Sequence, residues 1–419
     1  MSHSIFDMRR RPLALCLCVV MGCAALAPAA YSADKPKGQE ISRAIAKEMT
    51  AAQKAMAASQ WTEVLKNLDG LDARPGLTAY DKTKINDFRG YSYVKLNKMK
   101  EAEGAYEAAI AAGAYTQEEK ERTTHLLFQL SAQNQQNAKA IEYGKAFTET
   151  SSATPNDFLV MAQLYYLQKD CKNSAIWSDK AVAAYRKANE TPKEVLYQFK
   201  LQCASDAGDT PGMKAGLVDL IRVTNKTSYW NNLIRLERQD ERDDKNTLMI
   251  YRIMYDTNST NADTDYIEMA QLLGDASLPG EAAAVLDKAM STGQIKDEHK
   301  ERTTRLLAAL KTRADADKKA LPSLDAEASK NPAGQLDVKL GEVYFGAGDY
   351  ANAVTAINRG LGKGQVKDLD QAYVYLGRAN VALKNNGEAK KAFEKLKSVP
   401  NESPRVLKLW ELYSDKLGS

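Results

Sequence analysis

The chain has few of the residues and motifs that usually carry out chemistry. Among its 419 residues there are three histidines and five cysteines, and three of the cysteines lie within the first 32 residues. The sequence has no His-Glu-x-x-His motif, no clustered Cys and His ligands and no glycine-rich phosphate loop. No two carboxylates stand at a spacing that marks them as an acid–base couple. We therefore predict a protein that is not an enzyme and that needs neither a metal ion nor a cofactor.

An excess of charge of one sign is also missing. The chain has 58 Lys and Arg residues against 54 Asp and Glu residues, a net charge of +4. Without the first 32 residues, which contain three Arg and one Asp, the balance is 55 against 53, or about +2. A chain this close to neutral lacks the electrostatic footprint of a nucleic-acid-binding protein. We therefore exclude nucleic acid as a partner.

Linkers and strand patterns are scarce as well. No stretch rich in Pro, Gly or Ser divides the chain, whereas helical spacing of apolar residues recurs, as at Phe158, Met161, Ala162 and Tyr165. We predict an all-α protein. An array of stacked units would explain how so long a chain folds without separate globular domains, because each unit of such an array contacts only its neighbours.

One helix-turn-helix pattern recurs along the chain. Its clearest copies are Gly90-x2-Tyr93…Ala102-x3-Tyr106…Ala109 and Gly341-x2-Tyr344…Ala353-x3-Ile357. Two antiparallel helices approach closely only where the facing residues are small, and larger side chains then fill the space beside those contacts. The small position of the second helix falls near Ala102, Ala140, Ser174, Met213, Ala282, Ala320, Ala353 and Ala389.

This pattern resembles the tetratricopeptide repeat (TPR), a unit of about 34 residues with W-x2-L-G-x2-Y…A-x3-F…P spacing. The resemblance implies an α-solenoid, a right-handed superhelix of about ten stacked helix pairs, with an inner groove in which peptides usually bind. It divides the chain into an N-terminal array (33–225), a divergent repeat (226–262) and a C-terminal array with a capping helix (263–419). Packing consensus fails in the divergent repeat, so we expect residues 228–257 to be mobile or ordered by a partner.

A second periodicity relates the two halves of the chain. The block Lys120-Glu-Arg-Thr-Thr-His-Leu-Leu127 recurs 180 residues later as Lys300-Glu-Arg-Thr-Thr-Arg-Leu-Leu307. We infer that the two halves share an arrangement of helices, through duplication or through similar packing needs.

Helical geometry predicts which side chains face the groove. They are the residue directly after the small position of each first helix and those three or four positions further on. Asn231, Arg235 and Arg238 share one helical face, and their side chains can hydrogen-bond a peptide backbone or a carboxylate. The alternatives are that this face only meets water and that the aromatic residues serve packing. The predicted groove residues are Tyr91, Lys95, Gln163, Tyr166, Asn231, Arg235, Arg238, Glu342, Phe345 and Arg378.

The first 32 residues have the pattern of a secretory signal. Arg9–Arg11 are basic, an apolar stretch spans Leu13–Leu26, and small residues precede the expected cleavage site before Ala33. An uncleaved membrane anchor fits less well, because the apolar run is short for a bilayer. We expect export to the periplasm and no transmembrane segment in the mature chain. The alternative is an outer-membrane lipoprotein acylated at Cys23.

Cleavage would leave two cysteines, Cys171 and Cys203. In the repeat register Cys171 opens the second helix of one unit and Cys203 lies late in the first helix of the next, so antiparallel packing brings the two together. An oxidising compartment would allow them to pair. We predict a disulfide, with two buried free thiols as the alternative.

Two further stretches suggest a pathway. Tyr229-Trp230-x2-Leu233 and Asp265-Tyr266-Ile-Glu-Met-Ala-Gln-Leu-Leu273 resemble periplasmic tetratricopeptide proteins that accompany TonB-type energised transport. The resemblance implies a partner from the energising complex, and we predict an envelope scaffold that binds proteins or peptides. One alternative is a carbohydrate-binding or export adaptor of exopolysaccharide or peptidoglycan machinery, in which Trp230 and groove tyrosines would stack on glycan rings. A self-associating array is another.

Overall fold

The computed structural model describes residues 40–239, 241–260, 262–400 and 403–418. These residues contain twenty α-helices and no strand, which confirms the all-α prediction. The expected signal sequence and Cys23 lie outside the described residues. Within the described part, no helix combines the length and the apolar character needed to cross a membrane.

The chain divides into two compact units. Unit 1 ends at Cys203, and unit 2 comprises Ala204–Ser419, so that the division falls inside one helix. In unit 1, α1 packs with α2, α3 with α4, α5 with α6 and α7 with α8, and each pair packs on the next. The helices are α1 (Ala46–Ala57), α2 (Trp61–Leu68), α3 (Ala79–Lys95), α4 (Met99–Ala112), α5 (Gln117–Gln133), α6 (Asn137–Thr148), α7 (Pro155–Leu167), α8 (Cys171–Lys187) and α9 (Glu194–Asp206).

Local sequence signals set the ends of these helices. The turns inside three pairs each contain a residue in the left-handed region, namely Asn97, Gln135 and Lys169, with φ of 58°, 59° and 60°. Such a residue ends a helix and reverses the chain. The next first helix begins with a capping box; in α3, Thr78 and Asp81 hydrogen-bond each other's backbone N–H groups.

A disulfide joins α8 to α9. Cys171 is the first residue of α8, and its Cα atom lies 5.7 Å from that of Cys203 in α9. The predicted pairing is confirmed. It closes a loop with a sequence separation of 32 residues.

Unit 2 contains three further first-helix and second-helix pairs, formed by α13 with α14, α16 with α17 and α18 with α19. Before them, α10, α11 and α12 pack in succession. The helices are α10 (Thr210–Thr224), α11 (Thr227–Arg238), α12 (Asp244–Asp256), α13 (Asp263–Asp275), α14 (Pro279–Ser291), α15 (Asp297–Lys330), α16 (Gln335–Gly346), α17 (Tyr350–Lys363), α18 (Leu369–Ala382), α19 (Asn386–Lys395) and α20 (Pro404–Asp415).

The repeat register is wrong around Ala320. The pattern predicts a helix pair there, but α15 is one continuous helix of 34 residues that runs through Pro322. The sequence has no glycine between Gly293 and Gly334 to end the helix, and its Ala, Lys, Leu and Arg residues favour helix. The register therefore fails at this position.

Unit 2 also differs from a simple array because its first helices contact its last ones. α20 packs against α19 and also against α10 and α12. Lys416 Nζ donates a hydrogen bond to the carbonyl oxygen of Arg222 (2.8 Å), and Arg405 donates one to the carbonyl oxygen of Glu237 (3.1 Å). In an open array each unit contacts only its neighbours. The predicted capping helix α20 thus closes unit 2 onto itself.

At the centre of unit 2, α12 is buried on all sides. Every residue from Leu248 to Met254 is buried. A helix that is apolar around its circumference is driven into a core. The structure therefore shows a buried helix in part of the stretch for which the sequence suggested local opening.

Candidate functional site

Three predicted groove residues of unit 2 come together on neighbouring first helices. Phe345 of α16 lies edge-on to Tyr375 of α18, with ring centroids 5.0 Å apart. The guanidinium carbon of Arg378 lies 4.9 Å from the centroid of the Phe345 ring. Glu342 is one turn before Phe345, and both Glu342 and Arg378 are buried. The geometry thus assembles one continuous face from α16 and α18.

Helix α12 occupies this face. Its fully buried Arg252 donates hydrogen bonds to both carboxylate oxygens of Glu281 on α14 (2.8 and 3.2 Å). Asp256, one turn further on, accepts two hydrogen bonds from the Arg378 guanidinium (2.8 and 3.0 Å). Arg252 also donates to the Tyr375 hydroxyl (2.5 Å). Bidentate bonds of this kind fix position as well as charge.

The buried charges shift each other's pKa values. Burial alone would raise the pKa of Glu281, but the guanidinium groups of Arg252 and Arg378 outweigh it and lower that pKa to about 2. Glu342 shows the opposite balance, because burial raises its pKa and the half-exposed Lys339 only partly offsets this. Glu342 Oε1 is buried and has no hydrogen-bond partner among the described residues.

These positions correct one expectation. The repeat register placed Glu342, Phe345 and Arg378 on an open groove, whereas in the structure Glu342 and Arg378 are buried and Arg378 binds Asp256 of α12. The reason is that the middle of α12, from Leu248 to Met254, is apolar apart from Arg252 and must be covered. Nothing in the sequence near any of the three residues shows which helix will cover them.

The predicted residues of the divergent repeat are also brought together, and they bind other parts of unit 2. Arg235 donates to Asn231 Oδ1 (3.1 Å) and to Asp265 (3.3 Å). Arg238 donates to Asp265 (3.2 Å) and to Glu268 (3.1 Å). The shared helical face is therefore real, but it contacts α13, and Asn231 is buried.

In unit 1 the predicted residues lie on one face of α3 and one face of α7. Tyr91 packs edge-on against Trp61, and the Lys95 ammonium lies 5.2 Å from the centroid of the Tyr91 ring. Tyr166 stacks on Phe199 with centroids 4.7 Å apart. These residues keep exposed atoms, and the neighbouring Leu167 is 51% exposed.

We call Tyr91, Lys95, Tyr166 and Leu167 the unit 1 inner face. The remaining predicted residue, Gln163, is on the same side of α7 but is buried.

The histidine of the repeated block lies on α5, between α3 and α7 in the chain. His125 on α5 hydrogen-bonds Asp157 (2.8 Å) and Gln129 (3.2 Å), and its ring stacks on Phe147 with centroids 4.0 Å apart. The capping-box position of Asp157, three residues after Thr154, was the available sequence signal. His125 therefore links two successive first helices.

Glycines mark the closest approaches between paired helices. A Cβ atom at Gly90 would lie 2.8 Å from the Tyr106 ring, and one at Gly377 would lie 2.4 Å from the Phe393 ring. A Cβ atom at Gly341 would come equally close to Ile357 (2.4 Å). In each case the contact joins the first helix's small position to the residue that the repeat spacing predicts on the second helix. The chain has a TPR-like helical-repeat fold.

Known proteins were compared at the level of sequence and of structure. No protein-family model and no curated protein matches the chain. A tetratricopeptide repeat protein from Parabacteroides merdae is 11% identical, with a TM-score of 0.28 over 88% of this chain and 99% of its own. The C-terminal part of a TPR repeat-containing protein from Cytophaga hutchinsonii is 10% identical, with a TM-score of 0.29 over 86% and 98%. A structure of Naa15/Naa10 bound to HypK-THB is 13% identical, with a TM-score of 0.35 over 88% of this chain and 72% of that chain. TM-scores this low support no conclusion about partners or about the fold. The fold assignment rests on the helix packing described above.

Trp230 is a core residue. It is 1% exposed, and its indole N–H donates to Asn225 Oδ1 (2.9 Å). The sequence suggested that Trp230 would stack on sugars in a carbohydrate adaptor. A side chain buried to this degree offers no face for that contact.

One group of side chains has the composition of a metal site. Ligand atoms of Asp263, Glu298 and His299 all lie within 4.8 Å of one another. His299 Nδ1 hydrogen-bonds Asp263 Oδ2 (2.7 Å), and the Lys296 ammonium lies 3.7 Å from Asp263 Oδ1. Burial alone would raise the pKa of Asp263, but these contacts outweigh it and lower the pKa. Positive charge and hydrogen bonds are thus supplied to Asp263 by the protein itself.

Proposed function

We propose that this TPR chain is a non-catalytic scaffold that binds a protein partner on the unit 1 inner face. Support comes from unit 2, where the corresponding positions of the first helices hold a helix. Arg378 directly follows the small residue Gly377, and it holds Asp256 of α12. The residue that directly follows Gly90 in unit 1 is Tyr91.

The chemistry of the unit 1 inner face defines the partner segment that fits it. Leu167 offers half-exposed aliphatic surface, Tyr91 and Tyr166 offer parts of their rings, and Lys95 offers an exposed ammonium group. An amphipathic helix binds such a face with apolar side chains spaced three or four residues apart. An acidic residue beside them would complement Lys95.

The proposed location is the periplasm. The signal-like pattern of the first 32 residues supports export, and the disulfide between Cys171 and Cys203 is of a kind that persists in oxidising compartments. The resemblance to proteins of TonB-type transport makes a protein of the energising complex the first partner to look for.

A crosslinking pull-down from envelope fractions tests the proposal with a matched pair of variants. Leu167→Asp places a charge on the unit 1 inner face, whereas Ile176→Asp places one on the exposed surface of α8, where Ile176 is 43% exposed. We expect one envelope protein to be recovered with the wild type and with Ile176→Asp, and to be lost with Leu167→Asp. Circular dichroism would confirm that both variants fold.

Two outcomes would contradict the proposal. Equal recovery with both variants would show that the partner binds another surface. Recovery of glycan without protein would favour the carbohydrate adaptor, and fractionation of the cells would test the location independently.

A further inference from the structure

The disulfide between Cys171 and Cys203 lies beside the unit 1 inner face. Tyr166 and Leu167 of that face are the last two residues of α7, and Cys171 opens α8 after a short turn. The ring of Tyr166 stacks on Phe199 of α9, with centroids 4.7 Å apart. Phe199 and Cys203 are one helical turn apart on the same face of α9. That face therefore holds the end of α7 through an aromatic ring and the start of α8 through the disulfide.

The disulfide is a covalent link between α8 and α9, and the ion pair beside it is weak. The Lys200 ammonium of α9 pairs with Asp179 of α8, but the Asp179 side chain is 68% exposed, and exposed ion pairs contribute little to stability. Phe199 is buried, so its contact with Tyr166 depends on the position of α9. Without the disulfide, α9 should open from α8 more often, and each opening moves the Phe199 ring away from Tyr166.

The position of the disulfide suits reduction in the folded chain. Cys171 and Cys203 are both partly exposed, and exposed disulfides are the labile and regulatory ones. Cys171 is the first residue of a helix of 17 residues, whose N-terminal partial positive charge stabilises a thiolate. The neighbouring Asp170 carboxylate accepts hydrogen bonds from the backbone N–H and the carboxamide of Asn173 (3.1 and 2.6 Å). Attack on the Cys203 sulfur, with the Cys171 thiolate as the leaving group, is therefore the favoured route.

We propose that this disulfide is a redox switch that regulates partner binding on the unit 1 inner face, an inference that rests on the proposed function. The reductant is a protein dithiol. One of its thiolates attacks the Cys203 sulfur and releases the Cys171 thiolate. Its second thiolate then attacks the reductant's own sulfur in the mixed disulfide and releases Cys203. The dithiol becomes a disulfide, and two electrons and two protons reduce the cysteine pair to two thiols. The oxidised chain holds the inner face in place, and the reduced chain loosens it.

Hydrogen exchange of the whole mature chain tests the switch without a partner. The chain is compared before and after treatment with millimolar dithiothreitol in the absence of denaturant, and alkylation with mass spectrometry counts the thiols formed. We expect both cysteines to be alkylated while the circular dichroism spectrum stays unchanged. Peptides from α9 and from the end of α7 should exchange at least about tenfold faster, and should gain more than peptides from α3 and α4.

Two outcomes of this experiment would overturn the switch. A disulfide that resists dithiothreitol until urea unfolds the chain would not be accessible to a reductant. Equal acceleration of exchange in α3, α4 and α9 would mean that the disulfide stabilises unit 1 as a whole instead of holding α9.

Variants separate the switch from the proposed function. Cys171→Ser/Cys203→Ser should exchange like the reduced chain, whereas Asp179→Asn, which removes the exposed ion pair and keeps the disulfide, should exchange like the oxidised chain. In the crosslinking pull-down, the double serine variant should recover at least about tenfold less of the envelope protein that Leu167→Asp loses. Full recovery with the double serine variant and loss with Leu167→Asp would refute the switch alone. Full recovery with Leu167→Asp would refute the proposed function and the switch together.

Discussion

Replacing Glu281 with glutamine would remove the charge that joins α12 to the rest of unit 2. In the wild type, its carboxylate accepts hydrogen bonds from Arg252, Arg378 and the Tyr375 hydroxyl. After the substitution Arg378 keeps its bidentate contact with Asp256. Arg252, fully buried, is left with neutral partners only. The variant therefore contains one buried guanidinium group that is hydrogen-bonded to no carboxylate.

Two estimates of the cost agree. Breaking a buried ion pair by removal of one partner typically lowers the free energy of unfolding by about 3–5 kcal/mol. Independently, the lowering of the Glu281 pKa from its ordinary 4.5 to about 2 corresponds to roughly 3 kcal/mol of stabilisation of the folded state at neutral pH. We expect Glu281→Gln to destabilise unit 2 by about 3 kcal/mol. Adding Arg252→Gln should cost less than the sum of the two single substitutions, because it removes the unpaired charge.

Hydrogen exchange as a function of urea is the suitable assay, since a chain with two units need not unfold in one step. Peptides from α12 and α18 should lose protection, while peptides from α3 and α4 in unit 1 serve as an internal reference. Asp287→Asn is the matched control on the same helix as Glu281. It breaks the exposed pair with Lys311 and should cost less than about 1 kcal/mol.

Two results would refute this reasoning. A loss below about 1 kcal/mol for Glu281→Gln would mean that the buried charges contribute little to stability. An equal loss of protection in unit 1 would mean that the effect is not local.

Acid should act on the same cluster. Because the folded-state pKa of Glu281 is lowered, its contribution is fully present above the unfolded value of about 4.5. It is lost as the pH falls through the folded value of about 2. Unit 2 of the wild type should therefore weaken between about pH 4.5 and 2, and this part of the pH dependence should be absent in Glu281→Gln.

Other substitutions test the disulfide, a buried carboxyl group and a close helix contact. Cys171→Ser/Cys203→Ser should lower the free energy of unfolding of unit 1 by about 3–4 kcal/mol, because the disulfide closes a loop with a sequence separation of 32. Urea unfolding of the wild type in reductant should show the same loss. No loss in either experiment would argue against the pairing. Glu342→Gln should raise the melting temperature at neutral pH, because burial raises the pKa of Glu342 and a neutral amide costs less to bury than a carboxylate. This gain should shrink as the pH falls. A lower melting temperature would contradict the prediction. Gly377→Ala should lower the free energy of unfolding by about 1–3 kcal/mol, because its Cβ atom would lie 2.4 Å from a buried phenylalanine ring. The Cβ atom of Gly387→Ala would meet open space, so this control should be neutral or stabilising in the same thermal melts. Equal losses in both variants would disprove the steric explanation.

Helix pairing was predictable because contacts within a pair are close in sequence. Gly90 meets Tyr106 and Gly377 meets Phe393, sixteen residues further along in each case. Because the two residues must fit together at a fixed spacing, their types recur in the sequence at that spacing. The turn between the two helices is short. The disulfide could be predicted from the same register.

The same local signals were insufficient for α15. Its first turns match those of α5, but α5 ends at Gln133, just before the left-handed Gln135, whereas the equivalent residues Arg313 and Asp315 remain helical. Neither residue pair contains glycine or proline. Whether the chain turns there depends on the packing of each helix on its neighbours, which a repeat register does not specify.

The sequence by itself determined the helical repeats, the paired helices and the two cysteines that meet, because each depends on spacing within a few tens of residues. Only the tertiary structure decided which first-helix faces stay open. Arg378 and Asp256 lie 122 residues apart in the chain, and their contact forms because the largely apolar middle of α12 must be buried within unit 2. An arginine that binds a partner and an arginine that holds its own chain's helix look the same in a sequence.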